Sequence, residues 1–240
     1  MKKEKLNNKV IIGGILALVV VIVAIVVACS NRGTADEVKF KNEYEKLNGE
    51  KTANGSEYQT LKIDSKNKVK YATLSEAVDF LEEGTGLVYF GMPNCPWCRG
   101  ILPTLLEKVN CSCLANLLYV DMTDLRNTFT IQDDEPVETK KAENAYYRAL
   151  NILDDYLDNY KVTDGDGVEH VLKEKRIYVP LVVAVKDGRV VDAHTGSVTL
   201  KSTQTAFDEL DDLQKSELGV IFDNMLEALN KENNVCDGHC

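Results

Sequence analysis

The sequence predicts an α/β fold, with a central mixed β-sheet flanked by helices. Three observations carry that expectation. Residues 87–90, 117–120 and 181–185 are short apolar runs bounded by Gly, Pro or polar residues, as expected of strands buried on both faces. Segments with apolar residues at helical spacing separate the first runs, which gives a βαβ start. Asp187-Gly188 joins residues 181–185 to a second run at 189–193, a strong signal for a two-residue hairpin.

In chain order, residues 30–55 are polar and read as a tether with one short helix around residues 37–47. Residues 58–64 alternate like a strand. Thr73 and Glu76 have capping-box spacing, and Ala77, Phe80 and Leu81 recur behind them at helical spacing. Gly84 and Gly86 stop that helix. The strand at 87–90 leads through Gly91-Met92-Pro93-Asn94 into Cys95-Pro96-Trp97-Cys98 and a helix reaching about Asn110. After the strand at 117–120 comes a long interruption. Residues 122–135 are polar, and residues 138–157 carry Ala142, Ala145, Ala149 and Leu153 on one helical face. Asp164-Gly165-Asp166-Gly167 reads as the turn of a hairpin between 160–162 and 169–171. Residues 203–231 read as helical, in two pieces or bent at Gly219.

The chain has 240 residues, 44% of them apolar and 28% charged, which argues against a wholly disordered or fibrous protein. The net charge is −10, although the first 28 residues hold four lysines against the single acid Glu4. The remainder is therefore more acidic still and repels phosphate backbones, so no nucleic-acid partner is expected. Residues 10–28 form an uncharged run of 19 residues. As a helix it would span about 28 Å, close to a bilayer's hydrocarbon core. The lysines precede it, so the positive-inside rule leaves the N-terminus in the cytoplasm and puts the rest on the extracytoplasmic face of the cell membrane. The run ends Val26-Val27-Ala28-Cys29, which resembles the lipobox of bacterial lipoproteins. That resemblance implies cleavage of a signal peptide before Cys29 and lipidation of its sulfur. The other reading is an uncleaved single-pass anchor; both tether the protein to the membrane. The expected organisation is a membrane segment at 1–28, a tether at 29–56, a domain at 57–235 with an insertion at about 122–175, and a Cys-containing tail at 236–240.

Cys95 and Cys98 lie three apart at a helix start, where their sulfurs share a face and can form a small, reducible disulfide. At the helix entrance, unpaired N–H groups and the helix dipole favour a Cys95 thiolate, the attacking species in disulfide exchange. Cys98, one turn inside, is the candidate resolving thiol. Pro96 suits the first helical turn, and Trp97 offers a flat apolar surface beside the sulfur. The other use of such a pair is half of a zinc site, but no second CxxC supplies the missing ligands, and no metal is expected. Cys111, Cys113, Cys236 and Cys240 have no metal-ligand spacing. A local Cys236–Cys240 bridge and a bridge from the tail to Cys111 or Cys113 both remain open. His170 and His194 read as surface histidines, and the acidic stretches 133–135 and 208–212 as solvated faces.

With these features together, residues 58–230 resemble the thioredoxin-like family. An apolar strand feeds directly into CxxC, Arg99 follows it, and Pro103 lies five residues after Cys98. Val179-Pro180 precedes a buried strand, and a closing hairpin ends near Gly196. The resemblance implies a thioredoxin-like sheet with a helical insertion before the cis-proline strand. It further implies that Pro180 is cis and lies against the CxxC, and that the peptide groups around Val179 and Pro180, with Trp97, receive a substrate chain. The sequence departs from thioredoxins where they hold a buried acid six residues before the first cysteine; Tyr89 stands there. Its middle pair is Pro-Trp, Leu181 replaces a common Thr, and the insertion is about 40 residues longer than the minimal fold requires.

The expected function is an extracytoplasmic thiol–disulfide oxidoreductase with catalytic Cys95 and Cys98 cycling through a redox-active disulfide. It needs no cofactor. Its expected partners are exported proteins bearing thiols or disulfides and a membrane electron-transfer partner. The alternatives are a non-catalytic accessory or binding lipoprotein, similar in plan to thioredoxin-like proteins linked to bacteriocin export, and metal delivery by the cysteines.

Overall fold

The computed structural model describes residues 33–230. The apolar run at 10–28, Cys29 and the tail cysteines Cys236 and Cys240 lie outside the described residues. No helix among the described residues is long and apolar enough to cross a membrane.

The described chain runs α1 (Ala35–Glu45), β1 (Val69–Tyr71), α2 (Leu74–Glu83), β2 (Gly86–Gly91), α3 (Pro96–Cys111), β3 (Leu117–Asp121), β4 (Thr128–Gln132), β5 (Glu135–Lys140), α4 (Asn144–Ile152), β6 (Asn159–Thr163), β7 (Glu169–Lys175), β8 (Leu181–Lys186), β9 (Arg189–Thr195) and α5 (Asp212–Asn230). The central sheet has strand order β1-β3-β2-β8-β9. Its β1–β3 and β2–β3 pairs are parallel, whereas β2–β8 and β8–β9 are antiparallel. The fold is therefore α/β, with a mixed sheet flanked by helices.

The two-residue period of β2 divides the core. Leu87 and Tyr89 face one side with Leu117, Tyr119, Val182 and Ala184, and that side is covered by α1, α3 and α5. Val88 and Phe90 face the other with Val120, Leu181, Val183 and Val185, against α2 and α4. Every residue of β2 is buried, which is why the run reads as uniformly apolar rather than alternating. The capping box of α2 is present: the Glu76 N–H donates to the Thr73 hydroxyl, and the Thr73 N–H to the Glu76 carboxylate. Asp187 and Gly188 turn β8 into β9 with φ of +50° and +70°. A Cβ on Gly188 would lie 2.0 Å from the Glu82 carbonyl oxygen, so the turn needs glycine for space as well as for φ.

Four expectations are corrected. Residues 58–64 form no strand, although Leu61 and Ile63 are buried. Their N–H groups are taken by side chains of α1 and the turn after it, Leu61 by Asn48 Oδ1 at 2.9 Å and Ile63 by Glu45 Oε1 at 2.7 Å, so no neighbouring strand is needed. The helix expected within the tether is part of the folded body, with Phe40 and Tyr44 fully buried. The insertion is less helical than expected. Residues 138–140 belong to β5, and α4 covers only Asn144–Ile152. Within it, Asp133 and Asp134 are exposed, as expected of a solvated stretch, and make the β4–β5 turn at φ of +50° and +63°. Lastly, α5 starts only at Asp212 and continues through Gly219. Thr205, Asp208 and Asp211 before it satisfy nearby N–H groups with their side chains, which favours turns over helix.

Candidate functional site

The buried β2 ends at Gly91, and the turn after it delivers Cys95 as the N-cap of α3, in extended geometry, with Pro96 in the first helical turn. The Cys95 N–H donates to the Met92 carbonyl at 3.2 Å, which fixes the turn. Cys95 Sγ accepts the Cys98 N–H at 3.4 Å, the capping bond that a Ser or Asp side chain would otherwise make. Both thiols are free, so the structure shows the reduced pair.

The two sulfurs have opposite electrostatics. Cys95 is lowered to about 7, chiefly because the Cys98 thiol donates a hydrogen bond to it. The N–H groups of Cys98 and Trp97 and the Arg126 guanidinium add to this, and burial opposes it. Cys98 is fully buried, and burial pushes its thiol well above the ordinary range. The hydrogen bond it gives to Cys95 and the Cys95 charge push the same way. One thiol is thus ready to ionise near neutrality while its neighbour stays protonated.

The Val179–Pro180 peptide bond is cis, and Pro180 is buried. The Cys95 thiol reaches the Val179 carbonyl at 3.5 Å. The structure therefore brings together Cys95, Cys98, Val179 and Pro180. Trp97 lies on the first turn of α3 and is 40% exposed.

Several residues around the site take roles that the sequence did not assign to them. Arg99 is fully buried and donates to four oxygens: Tyr44 O at 2.8 Å, Pro93 O at 3.3 Å, Asn48 Oδ1 at 2.8 Å and Gln59 O at 2.5 Å. It ties α3 to the turn before the cysteines and to residues 44–59. Beneath Cys98, the buried Tyr89 supplies a hydroxyl that hydrogen-bonds the thiol and partly offsets the effect of burial. Tyr89 in turn meets Tyr44 hydroxyl to hydroxyl at 3.2 Å, and Tyr44 donates to the Tyr119 hydroxyl at 3.5 Å. Burial raises all three phenols far above their usual range. A further such residue, Arg126, comes from the segment leaving β3.

Cys111 and Cys113, at the end of α3, are both disulfide-bonded. Among the described residues, no group of three or more His, Cys, Asp or Glu side chains is arranged to hold a metal ion. His170 pairs with Asp164 at 2.7 Å, away from the cysteines. His194, expected at the surface, is half-buried and packs edge-on against Phe222. No protein-family model matches the chain, and no curated protein matches it.

Proposed function

We propose that the chain is a thioredoxin-like thiol–disulfide oxidoreductase, tethered to the membrane and acting on exported proteins. The observation that carries this reading is the position of Cys95. It caps a helix with its sulfur, its pKa is lowered to about 7, and it lies beside the carbonyl that precedes cis-Pro180. The sheet order and the buried partner thiol support the same reading.

The exchange balances without any cofactor. The Cys95 thiolate attacks one sulfur of a substrate disulfide; a Cys95–substrate bond forms, and the other substrate sulfur leaves as a thiolate that takes up a proton. Cys98 loses its proton and attacks Cys95, closing the Cys95–Cys98 disulfide and releasing the second substrate thiol. Two electrons have passed to the substrate, and the reverse sequence oxidises a substrate dithiol. A second thiol–disulfide protein at the membrane would reset the pair.

The test is Cys98→Ser in the full-length chain, expressed in its own envelope. Mixed disulfides that depend on Cys95 support the reading. No trapped species, together with full biological activity of a Cys95→Ala, Cys98→Ala double variant, would replace it with the non-catalytic accessory protein.

A further inference from the structure

Arg126 is half-buried and joins the turn that leads into Cys95 to the segment that leads into Pro180. One arm of its guanidinium reaches the Ile177 carbonyl at 3.5 Å, two residues before the Val179–Pro180 bond. Another reaches Met92 Sδ at 3.6 Å, on the turn that leads into Cys95. Both contacts are long, and neither partner carries a charge. Among the described residues Arg126 makes no ion pair, in a chain with 38 acidic residues. A guanidinium taken partly out of water without a carboxylate is costly unless some other anion faces it.

The groups around the pair identify that anion. Arg126 is faced by Arg176 from the segment after β7, by Tyr146 of α4, by Tyr160 of β6 and by Cys95. No carboxylate stands among these groups, and Arg176 brings a second guanidinium, which stacks over the Tyr160 ring at 4.0 Å. Cys95 is faced by Cys98 of its own helix, by Tyr89 of β2 and by Arg126. The thiolate is the single anion within this set.

We propose that Arg126 is the counter-ion of the Cys95 thiolate and a positioning residue that pins the Met92 turn to the cis-proline loop around it. The proposal rests on the oxidoreductase reading for its purpose, since a counter-ion matters where the thiolate must persist and attack. It also gives part of the insertion a chemical task, because Arg126 and Arg176 bracket its two ends.

The experiment measures the rate at which iodoacetamide alkylates Cys95 as a function of pH, in the reduced full chain, with the modified residue identified by mass spectrometry. Arg126→Gln should raise the midpoint by about half to one unit and slow labelling at pH 6 by about threefold to tenfold. Arg126→Lys, which keeps the charge but loses the fork, should recover most of the rate. Circular dichroism matching the parent confirms that the variants fold. An unchanged midpoint in a folded Arg126→Gln chain overturns the proposal, as does a Lys variant no better than Gln. The two readings fail separately. If the midpoint rises in Arg126→Gln but the Cys98→Ser chain traps nothing, the counter-ion stands and the oxidoreductase does not. If traps form but the midpoint is unmoved, Arg126 alone is refuted.

Discussion

At the residue scale, the chemistry rests on an asymmetry between two sulfurs three positions apart. Cys95 receives donors from the helix start, whereas Cys98 sits in the core against a phenol. Under the proposed function, Tyr89 serves the buried sulfur where the resemblance to thioredoxins leads one to expect a carboxylate. Its hydroxyl can donate to a Cys98 thiolate as that thiolate forms, without placing a charge in the core. Tyr89→Phe should therefore leave the first attack by Cys95 nearly unchanged and slow resolution by Cys98 by up to about tenfold. The check is stopped-flow reaction with an aromatic disulfide, which separates release of the first thiol from release of the second. Equal rates for both steps in parent and variant would remove Tyr89 from the mechanism.

The sequence made the cysteines and Pro180 legible because their chemistry is local: spacing, a helix start and a proline before an apolar run. Arg126 was not legible. It lies in a polar stretch, and its significance comes from Met92 and Ile177, which are 34 and 51 residues away. Tyr44 was concealed in the same way, because a polar neighbourhood reads as tether until the fold supplies Phe40 and Tyr119 as ring partners.

At the scale of elements, α3 is held in place by Arg99. Removing this buried guanidinium takes the Arg99 donor from Pro93 O and Gln59 O, whereas Asn48 Oδ1 keeps the Leu61 N–H and Tyr44 O keeps the Leu47 N–H. Arg99→Met should cost about 3 kcal/mol or more, and Arg99→Lys should fail to restore it, because an ammonium cannot span acceptors arranged for a planar fork. Calorimetry should show the melting temperature falling by roughly 6–12 °C. A loss below about 1 kcal/mol would mean the arginine is incidental to the site. Two of the segments that sequence reading misassigned share one cause. Residues 58–64 and 203–211 place backbone hydrogen bonds on side chains or in tight turns, and periodicity alone carries no information about such partners.

At the scale of the whole molecule, the sheet acts as a divider, with Tyr44, Tyr89 and Tyr119 on the face covered by α1, α3 and α5. Tyr44, Tyr89 and Tyr119 are neutral in the folded state far above the pH at which an unfolded phenol ionises. Above about pH 10 the unfolded chain therefore binds fewer protons than the folded one, and stability falls as pH rises, by about 1.4 kcal/mol per pH unit for each fully buried phenol. Tyrosinate absorbance of these three should appear only together with loss of far-ultraviolet circular dichroism. Their titration near pH 10 in a chain that stays folded would contradict the buried cluster.

The most direct test of the central claim is equilibrium of the Cys95–Cys98 pair against glutathione or dithiothreitol at pH 7, with the two oxidation states resolved by mass. A thiolate stabilised at the mouth of α3 beside a shielded partner predicts reversible two-electron exchange with a midpoint between about −270 and −120 mV, the span of catalytic dithiols. A value below about −300 mV, as in structural disulfides, or no bridge at all, would contradict it.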